Sequence, residues 1–201
     1  KAPPEDFQAY FEAGAGRFDF ATVKGSIGGA LLPGRLRGKL AASATTHDGF
    51  SRNSAVGGRD GDTESVAGRA NLLYSPRDDL DITLSVDGKI DRPDTSRSPV
   101  RVTDLAAFAD PFGDPATPTV FGPNEDDYIV ETNANGLNDF SSYGLTARVE
   151  WRPAPAWTLE SITSYREMDF DLVLDTDGSP LPVLDVVLFQ DQEQFSQELR
   201  L

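Results

Sequence analysis

The chain has 201 residues, of which 33 are acidic and 18 basic, and its net charge is −15. That balance excludes a nucleic-acid-binding protein, which needs a basic face. The sequence contains no cysteine and one histidine, which excludes a disulfide scaffold, a thiolate zinc site and a histidine-rich metal site. No apolar run approaches the ~20 residues of a membrane-spanning helix.

Alternation of apolar and polar residues, which is the signal of a β-strand, recurs along the chain. It is clearest over residues 143–151, where one face is apolar and the other is charged. The segments exceed the ~5–6 residues of an average strand, and several reach the ~9–11 residues that a membrane-spanning strand needs. In chain order the eight predicted strands cover residues 7–13, 23–31, 36–44, 66–74, 80–86, 143–151, 157–170 and 195–201.

The connections between these strands alternate in length. Transmembrane barrels have tight turns at the periplasmic side and long loops outside. The loop at 91–139 holds ten acidic and three basic residues, and the loop at 169–193 holds seven acidic and no basic residues, so most of the net charge lies in these two loops. Short turns are predicted at residues 33–34, 75–79 and 152–156, and long outer loops at about 47–62, 91–139 and 169–193.

Aromatic residues flank the short turns, as the interfacial girdle of a membrane barrel requires; they are Tyr74, Trp151 and Trp157. Together these patterns predict an all-β fold, an antiparallel up-and-down meander of about eight long strands that forms part of a transmembrane β-barrel wall. Eight strands are also enough for a closed barrel. The alternative is a secreted acidic β-sandwich that binds carbohydrate or a surface partner, because half-buried antiparallel sheets alternate as well.

Several stretches of the sequence carry a resemblance to a known family. The chain reads RLRGKLAASATTHDGFSRN over residues 35–53, GRANLLYSPRDDLDITLSV over 68–86 and WTLESITSYR over 157–166, and it ends in DQEQFSQELRL. In their order and spacing these resemble the barrel of a TonB-dependent outer-membrane receptor of the siderophore-receptor type. The opening KAPPEDFQAY resembles the point where the plug domain of such receptors ends. The resemblance implies that residues 1–201 are the N-terminal part of the barrel, without its plug.

The resemblance also implies a function and a set of partners. The expected protein takes up a siderophore-type or other scarce ligand through the bacterial outer membrane, and this chain supplies barrel wall and extracellular, ligand-facing loops. Its expected partners are outer-membrane lipid, a small molecule such as an iron–siderophore complex, and TonB through the missing plug. No cofactor, no nucleic acid and no enzymatic activity are expected.

Two sets of residues are candidates for ligand contact. Polar-face residues of the predicted strands would point into the barrel lumen; they are Arg69, Asn71, Arg148 and Glu150. Aromatic residues of the longest loop would form either a ligand platform at the barrel mouth or the small core that so long a loop needs; they are Phe108, Phe112, Phe121 and Tyr128.

Metal and catalytic sites are not predicted. Three acidic segments, at residues 60–64, 124–128 and 175–179, have oxygen ligands at calcium-like spacing, but each lacks the closing glutamate of an EF-hand loop. His47 lies at a strand end beside Asp48, and no pair of carboxylates is placed for acid–base chemistry.

Overall fold

The computed structural model describes residues 2–93, 129–130, 132–133, 136–176 and 185–201. These residues form eleven strands. In this part of the chain no helix is long and apolar enough to cross a membrane. The strands are β1 (Gln8–Ala15), β2 (Ala21–Leu32), β3 (Leu36–His47), β4 (Ser51–Asn53), β5 (Arg59–Asp60), β6 (Thr63–Arg77), β7 (Leu80–Pro93), β8 (Ile129–Val130), β9 (Leu137–Ala154), β10 (Trp157–Asp175) and β11 (Asp185–Arg200).

Eight long strands form one antiparallel sheet in the order β1-β2-β3-β6-β7-β9-β10-β11. Each strand pairs with the next long strand in sequence, so the predicted up-and-down meander is confirmed. Strands β1 and β11 lie at the two edges and do not pair with each other within the described residues, so the sheet is open rather than a closed eight-stranded barrel. The short strands form a separate sheet in the order β5-β4-β8.

The connections fall at two ends of the sheet, as predicted. The turns after β2, β6 and β9 are two or three residues long and define the short-turn end. In the first of them Pro33 supplies a preset φ, Gly34 adopts φ 68°, and the Arg35 amide donates to the Leu32 carbonyl at 3.0 Å, as a tight β-turn requires. The remaining connections leave from the opposite, long-loop end. The predicted tips near Asn124 and Asp177 lie outside the described residues.

The predicted loop at residues 169–193 is wrong in its extent. Strand β10 runs to Asp175 and β11 begins at Asp185, so residues 176–184 alone connect them. The pairs Asp169–Asp191 and Asp175–Asp185 continue the ladder. A strand ladder is made by main-chain hydrogen bonds, and the exposed carboxylates of Asp169 and Asp191 repel each other weakly because solvent and salt screen them. A run of acidic residues therefore does not end a strand. Residues 48–62 connect β3 to β6, as predicted, and most of the loop predicted at 91–139 lies outside the described residues.

The register sorts the side chains of the long strands onto two faces. Tyr143, Leu145 and Val149 lie on one face and Arg148 and Glu150 on the other, as predicted. We call the first the apolar face; across the sheet it also carries Val23, Ile27, Leu40, Val66, Leu72, Leu84, Val86 and Trp151. We call the second the polar face; it also carries Lys24, Lys39, Arg69, Asp87 and Arg166.

Within the described residues, no second layer of structure covers the apolar face. Leu40, Val86 and Leu145 are each more than half exposed. In the part of the chain that the structure describes, Leu73 is the only buried apolar side chain apart from Pro3. A β-sandwich buries its core between two packed sheets, and the long sheet has no such partner here.

Candidate functional site

The four strand residues predicted to contact a ligand all lie on the polar face, but in two separate groups. Arg69 lies opposite Asp87, which lies opposite Gly144. Arg148 is four residues further along β9 than Gly144, or roughly 13 Å at ~3.3 Å per residue. We call the group around Arg69 the upper group, because it lies nearer the long-loop end, and the group around Arg148 the lower ladder.

The lower ladder is a chain of ion pairs across β7, β9, β10 and β11. Arg148 contacts both Glu150, at 3.1 Å, and Glu160. Arg152 contacts Glu150 at 2.5 Å and Asp81 at 2.8 Å. The ladder continues to Arg200, which lies 3.4 Å from Glu160 and 2.6 Å from Glu198. Three arginines thus face four carboxylates, and every charge has a partner. The arrangement cross-links strands and leaves no cation available to a ligand.

The upper group is built around one carboxylate shared by two arginines. Arg69 Nη2 lies 3.2 Å from Asp87 Oδ1, and Arg166 Nη2 lies 2.9 Å from Asp87 Oδ2. Arg166 reaches Asp87 by crossing β9 over Gly144. A Cβ at position 144 would lie 2.7 Å from Arg166 Nη2, so the glycine leaves the space that the guanidinium occupies. This trio carries a net charge of +1.

Three lysines from neighbouring strands join the upper group. Lys24 Nζ lies 3.2 Å from Glu12, and Lys89 Nζ lies 2.8 Å from Asp91. Lys39 has no hydrogen bond or ion pair within the described residues. With Arg69 these lysines line a cavity of about 520 Å³ on the polar face, which we call the basic concavity.

Sequence reasoning missed the three lysines and Arg166 as site residues. Their alternation with apolar neighbours marks them as polar-face residues. The cross-strand register is what places them side by side. Of the predicted residues, Arg69 lines the concavity, and Asn71 lies at its margin, directly opposite Lys39.

The aromatic loop candidates Phe108, Phe112, Phe121 and Tyr128 lie outside the described residues, as does the acidic segment at 124–128. In the described part no group of three or more histidine, aspartate or glutamate side chains is placed to hold a metal ion.

A small polar core ties the loops together at the long-loop end. Asn53 Nδ2 donates to Thr132 Oγ1 at 2.6 Å, and the backbone amide of Asn133 donates to Asp175 Oδ2 at 3.1 Å. Asn53, Thr132 and Asp175 are each at most 2% exposed. These contacts join the loop at 48–62, the segment between β7 and β9, and the end of β10. Sequence patterns gave no sign of them.

Comparison with known proteins identifies the fold. No family model matches the sequence, and no curated protein matches it. Among solved structures, the ferric yersiniabactin uptake receptor FyuA from Yersinia pestis has a TM-score of 0.74 and 17% identity over 99% of this chain and 28% of the receptor. The ferripyoverdine receptor of the outer membrane of Pseudomonas aeruginosa, bound to ferripyoverdine, has a TM-score of 0.66 and 17% identity over 99% of this chain and 25% of that one.

The fold is that of a section of a siderophore-receptor barrel. The receptor FpvAI, in its complex with pyocin S2, matches in the same way, with a TM-score of 0.66 and 16% identity. The resemblance to TonB-dependent siderophore receptors that the sequence carries is thereby confirmed at the level of fold. The chain spans about a quarter of the length of the receptors that it matches.

Proposed function

We propose that this chain is a section of the barrel wall of a TonB-dependent receptor in a bacterial outer membrane. The observation that carries the proposal is an open eight-stranded sheet with one uncovered apolar face and one charged face. In a barrel wall, lipid covers the apolar face and the polar face lines the lumen. Neighbouring strands of the same barrel would pair with the free edges of β1 and β11.

The spacing of aromatic residues on the apolar face supports this placement. Tyr143 and Trp151 are eight residues apart on β9, about 26 Å along the strand. A strand tilt of ~40° reduces this to roughly 20 Å, close to the ~25 Å apolar band of outer-membrane barrels. Beyond Tyr143 the same side of the sheet carries Asp169 and Asp191. These carboxylates would therefore stand above the membrane.

The proposed role is uptake of a siderophore-type or other scarce ligand, with this chain supplying wall and outer loops. It rests on the fold shared with proteins that are named as siderophore receptors. TonB would act through a plug domain in the whole protein. We assign the chain no catalytic role, because the proteins of similar fold are receptors.

Cysteine labelling tests the topology, since residues 1–201 contain no cysteine; any cysteine elsewhere in the full-length protein is first replaced by serine. Val56→Cys lies in the loop at 48–62, and Ala156→Cys lies in a short turn. In the full-length protein in a Gram-negative host, a membrane-impermeant maleimide should label Val56→Cys on intact cells and Ala156→Cys only after permeabilisation. Leu84→Cys on the apolar face should stay unlabelled in folded protein. Equal labelling of the loop and turn variants on intact cells would contradict the proposal.

Iron-limited growth tests the uptake role. Deleting the whole gene should abolish growth of the source bacterium on the ferric siderophore that the receptor carries, and deleting tonB should have the same effect. Unchanged growth on every ferric siderophore tested would contradict siderophore uptake while leaving the membrane topology intact.

A further inference from the structure

The basic concavity holds more positive than negative charge. Five cations face it or join it, and three carboxylates pair with them. The surplus arises at two places: Lys39 has no partner within the described residues, and Asp87 is shared by two guanidinium groups. The cations are Lys24, Lys39, Arg69, Lys89 and Arg166, and the carboxylates are Glu12, Asp87 and Asp91.

Small residues open the concavity between its charged side chains. Its floor is made by Ser26, Ala41, Ser43 and Ala67. Because these side chains are short, the longer cationic side chains around them stand above a vacant space instead of packing against neighbours. At the edge nearest the loops, Lys89 Nζ also lies 5.8 Å from the centre of the Phe140 ring.

The acidic residues of β10 and β11 do not cancel this charge. Glu167, Asp169, Asp191 and Glu193 lie on the opposite side of the sheet from the concavity. At the level of the concavity, the polar face of β11 carries only neutral glutamines, at positions 190, 192 and 194. The negative charge of these four carboxylates is therefore separated from the basic concavity by the sheet itself.

We infer that the basic concavity binds an anionic ligand, and that the ligand class of this receptor is a metal chelate with net negative charge. This inference rests on the proposed function, because it takes the polar face to be the lumen wall. A cleft lined by one sign of charge concentrates ions of the opposite sign. Guanidinium and ammonium groups donate strong, charge-assisted hydrogen bonds to carboxylate and phenolate oxygens, which are common iron ligands in chelates.

A pair of thiol reagents measures the charge preference without knowledge of the natural ligand. In the full-length protein, Ser43→Cys on the concavity floor is treated with sulfonatoethyl methanethiosulfonate, which is anionic, or with its cationic trimethylammonium analogue. At Ser43→Cys, the modification rate with the anionic reagent divided by the rate with the cationic reagent should be about tenfold higher than at Ser196→Cys, a polar-face control on β11. Adding Lys39→Gln or Arg69→Gln should lower the ratio severalfold. Arg92→Gln, on the other side of the sheet, should leave it unchanged.

Two outcomes of this experiment overturn the inference. A ratio at Ser43→Cys no higher than at Ser196→Cys would mean that the concavity has no anion preference. Failure of Ser43→Cys to react with either reagent would mean that protein, such as the plug, covers the concavity and leaves no room for a ligand.

Chelate binding separates this inference from the proposed function. Full-length protein is tested with ferric citrate, an anionic chelate, and with ferrioxamine B, a cationic one. We expect tighter binding of ferric citrate, weakened about tenfold by Lys39→Gln. Preference for ferrioxamine B would overturn the inference and leave the receptor function standing. A clear reagent preference in a protein that supports no ferric uptake would contradict the proposed function instead.

Discussion

The upper group and the lower ladder lie on the same polar face and follow the same alternation, yet they differ in charge balance. In the lower ladder every arginine and carboxylate has a partner, and Glu160, at 14% side-chain exposure, contacts two arginines. In the upper group Lys39 has none within the described residues, and two arginines share Asp87. Alternation decides which face a charge occupies, whereas the residues on neighbouring strands decide whether that charge is neutralised or available to a ligand.

The largest expected effect on stability tests whether the charged residues of both groups are tolerated in a membrane protein because they face the lumen and not the lipid. Leu84 lies opposite Ala147, midway between Tyr143 and Trp151 on the apolar face. Leu84→Arg should reduce the free energy of unfolding in lipid vesicles by ~2–4 kcal/mol, because it places a charge at the bilayer midplane. Ser85→Arg, one residue along and on the polar face, should cost under ~1 kcal/mol. Urea unfolding of the full-length protein measures both, and equal losses would contradict the assignment of the faces.

Removing one carboxylate of the lower ladder should produce the next largest effect. Glu160→Gln leaves Arg148 and Arg200 without their shared partner, and we expect a loss of about 1–2 kcal/mol in the free energy of unfolding. Glu193→Gln makes the same chemical change on the other side of the sheet, where Glu193 lies opposite Glu167, and should cost less than ~0.5 kcal/mol. Similar losses in both variants would show that the ladder does not cross-link the strands.

Gly144→Ala should separate the arginine trio of the upper group. The new Cβ would lie 2.7 Å from Arg166 Nη2, so the flexible guanidinium has to leave Asp87. We expect a loss of roughly 0.5–1 kcal/mol, because the arginines are about half exposed. If this loss arises from the ion pair, Gly144→Ala should cause no further loss of stability in a protein that already carries Asp87→Asn. Gly68→Ala, whose Cβ would be 3.8 Å from its nearest neighbour, is the matched control.

Lys39→Gln should have the smallest effect on stability and sharpens the comparison most. Because the ammonium has no partner within the described residues, the free energy of unfolding should change by less than ~0.5 kcal/mol. The same variant should lower the anionic-reagent preference at Ser43→Cys. A substantial loss of stability would instead place Lys39 among the cross-linking residues, as in the lower ladder.

The sequence predicted the strands and their faces well, and the outer boundaries less well. The clean alternation around Tyr143 and Trp151 gave the correct face for Arg148 and Glu150, because side chains alternate strictly along a strand. Acidic density gave the wrong end for β10, because hydrogen bonding of the ladder depends on the main chain. The aromatic loop candidates, from Phe108 to Tyr128, stay predictions.

Period-two patterning and turn chemistry, such as Pro33-Gly34, determined the meander and the two faces from the sequence alone, since both are local properties of the chain. The basic concavity was decided by the tertiary structure. Lys24, Lys39, Arg69 and Lys89 come from four strands, and only the cross-strand register sets them side by side. Arg166 reaches Asp87, 79 residues away, because the register places Gly144 between them. Charge neutralisation depends on distances between strands, and no pattern within one strand contains those distances.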